Sequence, residues 1–361
     1  MDFPTFCELA ARLMRCPAAP YHEELVRAEA ERICAEHALH YEQDEFGNLL
    51  VRLQTAGEKR PLVLAAHLDH PAFEIVQLLG PNRWVARFLG GVPEHYFNPA
   101  IALRLMPGAA PAKLGKMLGK EKEFEIHAPT APAVAPVFAV WEMDDFAVDG
   151  PRIVGRACDD LIGVAAILAT LIDLKKTGEE VNLIGVISRA EEVGFNGALT
   201  VAASTRLPKD SLVISLETSR EMPPIQMGEG VIIRVGDRAS IFDSTATRFL
   251  EEVAANLSAQ DKQFQFQRAL MSGGTCEATA YQEFGFQTTA VCVALGNYHN
   301  CGERGTIAAE FVNGNDACGM VQLLVESARL IQDYQALTEK LPARMQKMLE
   351  TARKDLAARP L

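Results

Sequence analysis

Residues 181–197, VNLIGVISRAEEVGFNG, form the segment from which the fold can be inferred. The first half is rich in Val, Ile and Leu and follows a polar stretch, a pattern typical of a buried strand in a parallel sheet. Two adjacent carboxylates, Glu191 and Glu192, come where this strand ends, and ligands of open α/β sheets bind at such strand ends. Neighbouring acids repel each other unless a cation lies nearby, so one of them could ligate a metal while the other moves a proton. Alone the pair is weak evidence, because Glu-Glu pairs are also common on solvated helix faces.

The composition is that of a globular protein. With 361 residues, of which 48% are hydrophobic, the chain can form one large or two moderate domains. The formal net charge of -12 argues against nucleic acid or an anionic membrane as the main partner. The sequence contains no run long enough for a transmembrane helix. The eight cysteines are scattered singly, and the N-terminus lacks a signal-peptide pattern, so we expect reduced thiols in a cytoplasmic protein.

Segments on both sides of this strand extend the α/β pattern. Residues 3–15 and 22–38 have helical apolar spacing, and the segments PLVLAAHLDH and SLVISLETS predict two more buried strands. The apolar segment VAAILATLIDLKK predicts a buried helix. We therefore expect an α/β fold with a mixed central sheet flanked by helices.

The residue pattern changes in the middle of the chain. Residues 79–151 contain many Gly and Pro and short alternating segments, which predict a small inserted β-barrel or sandwich. The α/β domain is then discontinuous, formed by residues 1–78 and 152–334. Residues 335–361 are charged and helical in pattern, and we expect a C-terminal extension that is exposed or contacts another subunit.

Polar residues follow several of the predicted strands or the turns after them: His67, Asp69, Asp159, Asp160, Glu191, Glu192, Glu217 and His299. If the segments form one sheet, these imidazoles and carboxylates meet at one edge. Singly, each has an ordinary structural explanation, such as a buried histidine or a helix cap. Together, and without a cation, the carboxylates would be costly to cluster. Nitrogen and oxygen ligands suit zinc, cobalt or manganese, and a bridging carboxylate is typical of a dinuclear hydrolase.

The order of these motifs resembles a known class of enzymes. H-x-D, D-D at a helix start, E-E-V-G, an acid after the next strand and a late His are similar to the dinuclear zinc exopeptidases. The β-rich insert between H-x-D and D-D, the Gly-Gly-Thr turn at 273–275 and the late Tyr-His pair resemble the tetrahedral or deblocking aminopeptidases, also called the glutamyl aminopeptidase family. The resemblance covers roughly residues 3–334.

The resemblance implies two divalent metal ions per chain, with zinc expected and cobalt or manganese as alternatives. One ion would be bound by His67 and Glu217 and the other by Glu192 and His299, with Asp159 bridging the two. The family usually has Asp where this chain has Glu217. The preferred metal therefore stays open.

The resemblance also implies catalytic roles for two further carboxylates. Glu191 would be the general base, and Asp69 would hold His67 in the ligating tautomer. The chain departs from the family at His70-Pro71-Ala72 after H-x-D and at Cys276 in the Gly-Gly-Thr turn, where the family often has Asp. Substrate preference therefore stays open as well.

The implied activity is that of an aminopeptidase, which removes N-terminal residues from short peptides. A related metal-dependent deacylase or carboxypeptidase is the first alternative, and a non-catalytic scaffold that keeps the fold is the second. The insert after H-x-D favours the aminopeptidase, and retention of every implied ligand and of Glu191 argues against the scaffold. The resemblance further implies peptide substrates and a homo-oligomer, commonly a twelve-subunit tetrahedral shell.

Overall fold

The computed structural model describes residues 1–119 and 121–359. Within these ranges, an eleven-stranded sheet and a closed six-stranded barrel contain all the strands. In chain order the strands are β1 (His40–Gln43), β2 (Leu49–Gln54), β3 (Leu62–His67), β4 (Ala72–Gly80), β5 (Arg83–Leu89), β6 (Ala102–Met106), β7 (Ala110–Met117), β8 (Glu123–His127), β9 (Phe138–Trp141), β10 (Ala147–Asp149), β11 (Arg152–Gly155), β12 (Asn182–Ser188), β13 (Leu212–Arg220), β14 (Val231–Gly236), β15 (Phe266–Leu270), β16 (Gln287–Gly296) and β17 (Glu310–Asn313). The helices are α1 (Phe3–Met14), α2 (Glu24–Glu36), α3 (Leu161–Thr177), α4 (Asn196–Ala203), α5 (Ser244–Gln260), α6 (Glu277–Glu283), α7 (Gly314–Leu330), α8 (Tyr334–Thr338) and α9 (Lys340–Ala357).

The large sheet is mixed, as predicted. Its main order is β1-β2-β12-β3-β13-β16-β17-β11-β10, with β14 joined to β16 and β15 joined to β14. The central strands β12, β3, β13 and β16 pair in parallel, whereas β2 and β17 pair antiparallel with their neighbours. The carboxyl ends of the parallel strands therefore open at one edge of the sheet.

Helices cover both faces of this sheet. Alternate residues of a strand point to opposite faces. Accordingly, Leu64 and Ala66 of β3 belong to a core that includes α1, α3, α5 and α7, while Val63 and Ala65 belong to a second core that includes α4 and α6. Burial on both faces explains why β3 and β12 are apolar at nearly every position.

The barrel closes in the order β4-β5-β8-β7-β6-β9 around an aromatic core that includes Phe73, Phe124 and Trp141. Its strands run from Ala72 to Trp141, so β4 begins before residue 79. After the barrel, β10 and β11 return to the large sheet, where β11 pairs with β17. The division of the chain into domains at the predicted boundaries stays a prediction.

The chain ends in the short helix α8 and the longer helix α9. No side chain of α9 is buried, and its first residue, Lys340, forms an ion pair with Glu252 of α5 at 2.8 Å. Across the ranges that the structure describes, every helix is too short or too polar to cross a membrane.

Candidate metal centre

Four of the predicted site residues lie at the carboxyl ends of the parallel strands. His67 is the last residue of β3, Glu191 and Glu192 follow β12, and Glu217 lies in the second half of β13. In the register of the sheet, His67 is paired with Ser188, the last residue of β12. The sequence patterns that predicted these strands therefore also predicted where their polar ends meet.

Asp159 and His299 reach the same edge from two connections. Asp160 caps α3 by accepting a hydrogen bond from the N–H of Gly163 at 3.2 Å, and Asp159 is the residue just before it. His299 lies in a short turn after β16 and adopts φ 55°. The helix-cap explanation thus holds for Asp160, whereas the Asp159 side chain is directed to the site.

The ligand atoms form three overlapping groups, within each of which all atoms lie within 4.8 Å of one another. Two of these groups share Asp159, and its two carboxylate oxygens face different imidazoles. Oδ1 lies 3.6 Å from Nε2 of His67, and Oδ2 lies 3.7 Å from Nε2 of His299. The groups are His67, Asp159 and Glu217; Asp159, Glu192 and His299; and His67, Glu191 and Glu192.

Both imidazoles present Nε2 to this cluster. Nδ1 of His67 lies 3.1 Å from the main-chain carbonyl of Asp69, and Nδ1 of His299 lies 3.2 Å from the carbonyl of Gly91. A carbonyl only accepts hydrogen bonds, so these contacts assign one proton to Nδ1, and Nε2 offers a free lone pair when the imidazole is neutral, as it is in a metal-bound histidine. A free Nε2 directed at carboxylates is the arrangement that a metal-binding histidine needs.

The donor set fits a divalent cation. Three oxygens in the cluster, Oδ1 of Asp159, Oε1 of Glu192 and Oε1 of Glu217, are buried and have no hydrogen-bond partner among the described residues. Buried acceptors without partners are costly, and carboxylate oxygens together with imidazole nitrogens are ligands that zinc, cobalt and manganese accept. Cations bound among these groups would satisfy all three oxygens.

The pKa values at the site reflect an excess of negative charge. Burial raises the pKa of Glu217 to about 8 and raises the pKa of Glu191 well above its ordinary value; neighbouring carboxylates add to both shifts, and His67 opposes them. Burial alone would lower the pKa of His299, but the carboxylates of Glu192, Asp159 and Glu310 together outweigh it and raise that pKa to about 9. Buried carboxylates that outnumber nearby cations produce such shifts.

Asp69 contacts both His67 and the turn that carries the two glutamates. Oδ1 of Asp69 lies 3.6 Å from Nδ1 of His67, whereas the main-chain carbonyl oxygen of Asp69 is closer to the same nitrogen, at 3.1 Å. The two carboxylate oxygens accept hydrogen bonds from the main-chain N–H groups of Glu191 at 2.8 Å and Glu192 at 3.0 Å. Asp69 is therefore well placed to fix this turn, and its predicted role toward His67 stays a prediction.

Glu310 is a site residue that sequence reasoning missed. It is fully buried at the start of β17, and Oε2 accepts hydrogen bonds from the N–H groups of Cys158 at 2.8 Å and Asp159 at 3.1 Å. Oε1 accepts from the N–H of His299 at 2.8 Å. One carboxylate thus joins the two connections that carry Asp159 and His299. No motif marks Glu310 in the sequence.

A pocket lies over the cluster and contains two arginines that sequence reasoning also missed. Arg234 of β14 is only 3% exposed, donates a hydrogen bond to Oγ of Ser219 at 3.2 Å, and has an Nε without a partner in the described chain. Arg220, at the end of β13, is exposed and lines the same pocket. Neither guanidinium forms an ion pair with the described carboxylates, so the pocket presents positive charge beside the acidic cluster.

Comparisons with known proteins give a family match for this chain. The sequence model of the family described as M42 glutamyl aminopeptidase matches residues 137–309, which include the predicted ligands Asp159, Glu192, Glu217 and His299. The resemblance to this family is confirmed. The family match supports a peptide hydrolase. A curated relative from Acetivibrio thermocellus, named "Putative aminopeptidase", is 24% identical over 190 residues, which are 51% of this chain and 53% of that relative. The chain therefore spans about half the length of this relative.

Solved structures of aminopeptidases share the fold. The TET1 peptidase of Pyrococcus horikoshii, described as assembling into a tetrahedron or a large octahedral shell, aligns with a TM-score of 0.74 and 22% identity over 90% of this chain and 99% of that chain. The TET aminopeptidase of a marine sediment Thaumarchaeota archaeon aligns with a TM-score of 0.76 and 19% identity over 92% of this chain and 99% of that chain. At these identities the likeness shows the fold alone.

Proposed function

We propose that this chain is a metal-dependent aminopeptidase that removes N-terminal residues from short peptides with two divalent metal ions. The observation that carries the proposal is the position of Asp159, whose two oxygens face the imidazoles of His67 and His299. One carboxylate directed at two separate ligand groups is the arrangement expected of a bridging ligand in a dinuclear hydrolase.

The chain offers a consistent set of ligands for these ions. His67 and Glu217 would hold one ion, Glu192 and His299 the other, and Asp159 both. Zinc is the expected metal, and cobalt or manganese would accept the same oxygen and nitrogen ligands. Bound in this way, divalent ions would activate water as a nucleophile and polarise the scissile carbonyl.

Glu191 is the proposed general base. Its side chain is 11% exposed and lines the pocket, and it belongs to neither of the two groups that share Asp159. In this role the Glu191 carboxylate takes a proton from the attacking water and then gives it to the amine that leaves. Burial raises the pKa of Glu191, which favours a carboxyl group that can hold this proton between the two steps.

The two arginines of the pocket point to an acidic group on the substrate. A buried guanidinium without a carboxylate partner gains most from an anionic ligand, and Arg234 is such a group. We propose a preference for peptides with an N-terminal Glu or Asp, in agreement with the name of the glutamyl aminopeptidase family. The same guanidiniums would also suit the C-terminal carboxylate of a peptide. For this reason a carboxypeptidase or deacylase is the second candidate.

A substrate panel separates the candidates. The purified protein, loaded with zinc, is assayed with glutamyl, leucyl and lysyl p-nitroanilides, with an N-acetylated glutamyl amide, and with a peptide whose C-terminal residue can be released. The aminopeptidase proposal predicts hydrolysis of free-amine substrates, loss of activity by about a hundredfold or more in Glu191→Gln, and unchanged zinc content in that variant. The exposed Glu303→Gln is the matched control and should keep full activity.

Other results of the same panel would favour the alternatives. Turnover of only the acylated or C-terminal substrates would support the deacylase or carboxypeptidase. Absence of both metal binding and turnover would support a scaffold that keeps the fold.

We further propose a cytoplasmic homo-oligomer, possibly a dodecamer, that acts on peptide substrates. All eight cysteines are free, as suits a reducing compartment. The barrel exposes apolar side chains that a subunit contact would cover: Val76, Leu78, Leu79, Met117 and Leu118. The tetrahedral assembly described for the Pyrococcus relative supports the same proposal. Light scattering that shows a stable monomer would refute the proposed homo-oligomer.

A further inference from the structure

The turn that carries the proposed general base is held by side chains from the first 70 residues of the chain. Four successive main-chain N–H groups in this turn each donate a hydrogen bond to a buried side-chain oxygen. The pairs are Arg189 to Asn48 at 3.1 Å, Ala190 to Glu23 at 3.0 Å, Glu191 to Asp69 at 2.8 Å and Glu192 to Asp69 at 3.0 Å. Each of the three accepting residues has an exposed fraction of 0%.

Glu23 is the most distant of these three acceptors in sequence, and both of its carboxylate oxygens accept hydrogen bonds. Besides the N–H of Ala190, Oε1 accepts a hydrogen bond from the N–H of Tyr21 at 2.9 Å, and Oε2 accepts from Nε of Arg189 at 2.8 Å. The Arg189 guanidinium continues to the carbonyls of Phe46 at 2.7 Å and Tyr21 at 3.0 Å. Glu23 therefore links the segment before α2 to the turn after β12.

The residue that Glu23 contacts needs such support. Ala190 adopts φ 53°, a left-handed conformation that side chains other than Gly rarely take. This conformation turns the chain at the end of β12, so the next two residues point into the site instead of continuing the strand. The hydrogen bond from Ala190 to Glu23 therefore acts at the position where the direction of Glu191 is set.

We infer that Glu23 is a positioning residue for peptide hydrolysis, acting through the Ala190 turn on the carboxylate of Glu191. The inference rests on the proposed function, since it takes Glu191 as the general base. Misplacement of a proton-transfer group by a fraction of an ångström slows the chemical step and leaves ground-state binding largely intact. Loss of Glu23 should therefore lower kcat more than it changes KM or metal content.

The chain contains a matched control for this test. Glu29 lies on α2, is 6% exposed, and forms an ion pair with Arg12 of α1 at 2.6 Å, away from the turn. Glu23→Ala and Glu29→Ala each remove a buried carboxylate that an arginine contacts. Only the first should affect the turn at residues 189–192.

Two readouts are measured on the full-length protein. In the zinc-loaded protein, Glu23→Ala should lower kcat by about 10–100-fold with KM within about twofold and zinc content unchanged, whereas Glu29→Ala should keep kcat. In hydrogen–deuterium exchange of the metal-free protein, a readout that does not need activity, the amides of residues 189–192 should exchange faster in Glu23→Ala but not in Glu29→Ala. If Glu23→Ala cannot be purified, Glu23→Gln replaces it, with an expected loss of about 3–10-fold in kcat because the ion pair to Arg189 is lost.

The outcomes separate the inference from the proposed function. Unchanged kcat and unchanged exchange in the Glu23 variants would overturn the inference, and so would equal effects in Glu23→Ala and Glu29→Ala. In a Glu191→Gln background, a further large loss on Glu23→Ala would also overturn it, because Glu23 would then act through another group. A wild-type protein without any hydrolase activity would overturn the proposed function, whereas failure of the inference alone leaves the wild type active.

Discussion

The substitution Glu310→Gln tests how the two halves of the candidate centre are joined. Glu310 accepts three main-chain hydrogen bonds, two at Oε2 from Cys158 and Asp159 and one at Oε1 from His299. Glutamine has one acceptor oxygen, so when this oxygen serves Cys158 and Asp159, its amide NH2 group faces the N–H of His299. One charge-assisted hydrogen bond is then lost, worth about 1.5–3 kcal/mol.

The expected result is a weaker metal site in an intact fold. The lost hydrogen bond corresponds to a drop in metal affinity of about 10–100-fold, the range seen when residues that support metal ligands are changed. The assay is the zinc dissociation constant, measured by competition with a chromophoric chelator at fixed pH, together with the melting temperature of the metal-free protein.

Asp316→Asn is the matched control for this prediction. Asp316 is also buried and accepts two main-chain hydrogen bonds, from Gly228 at 2.7 Å and Gly230 at 3.0 Å, but it belongs to none of the ligand groups. Asp316→Asn should lower the melting temperature and keep zinc affinity within about twofold of the wild-type value. The reasoning is refuted if Glu310→Gln binds zinc as the wild type does, or if both variants weaken zinc binding equally.

Two further substitutions test other parts of the site, and a deletion tests the C-terminal helix α9. Gly91→Ala would bring a Cβ to 3.2 Å from the His299 ring, so we expect zinc affinity, measured by chelator competition, to fall by about tenfold. Gly57→Ala is the control, because its added Cβ meets nothing within 4 Å, and it should leave zinc affinity unchanged. Arg234→Met should reduce the ratio of glutamyl to leucyl p-nitroanilide turnover by about tenfold or more, whereas the exposed Arg238→Met should leave this ratio unchanged. Deletion of α9, which buries no side chain, should keep kcat and change the melting temperature by less than about 2 °C, as checked by activity assay and calorimetry.

The strands and their polar ends could be predicted because both signals are local. The apolar runs of β3 and β12 are long and bounded by polar residues, and burial on both faces of a parallel sheet requires that pattern. His67 and the Glu191–Glu192 pair follow these runs directly, so prediction of the strands also predicted that these side chains meet. The ordered motif set then indicated a resemblance to the family, which the family model confirmed over residues 137–309.

The supporting contacts could not be predicted because they depend on distant segments. Glu310 lies about 150 residues from the N–H groups of Cys158 and Asp159, and Gly91 contacts His299 through a main-chain carbonyl that no side-chain pattern reveals. In the sequence, Arg234 is a single polar residue in an otherwise apolar strand. Only the fold shows that its guanidinium lacks a carboxylate partner among the described residues. The strand Ala72–Gly80, which begins before the predicted insert, was not recognised because it changes from buried to exposed without regular alternation.

Anomalous diffraction at the zinc edge, on crystals of the zinc-loaded protein, tests the central claim most directly. The account predicts two peaks roughly 3.5–4 Å apart, one beside His67 and Glu217 and the other beside Glu192 and His299, with one oxygen of Asp159 at each. A single peak, or two peaks without Asp159 between them, would contradict the proposed bridging carboxylate. No peak after loading would contradict the metal centre itself.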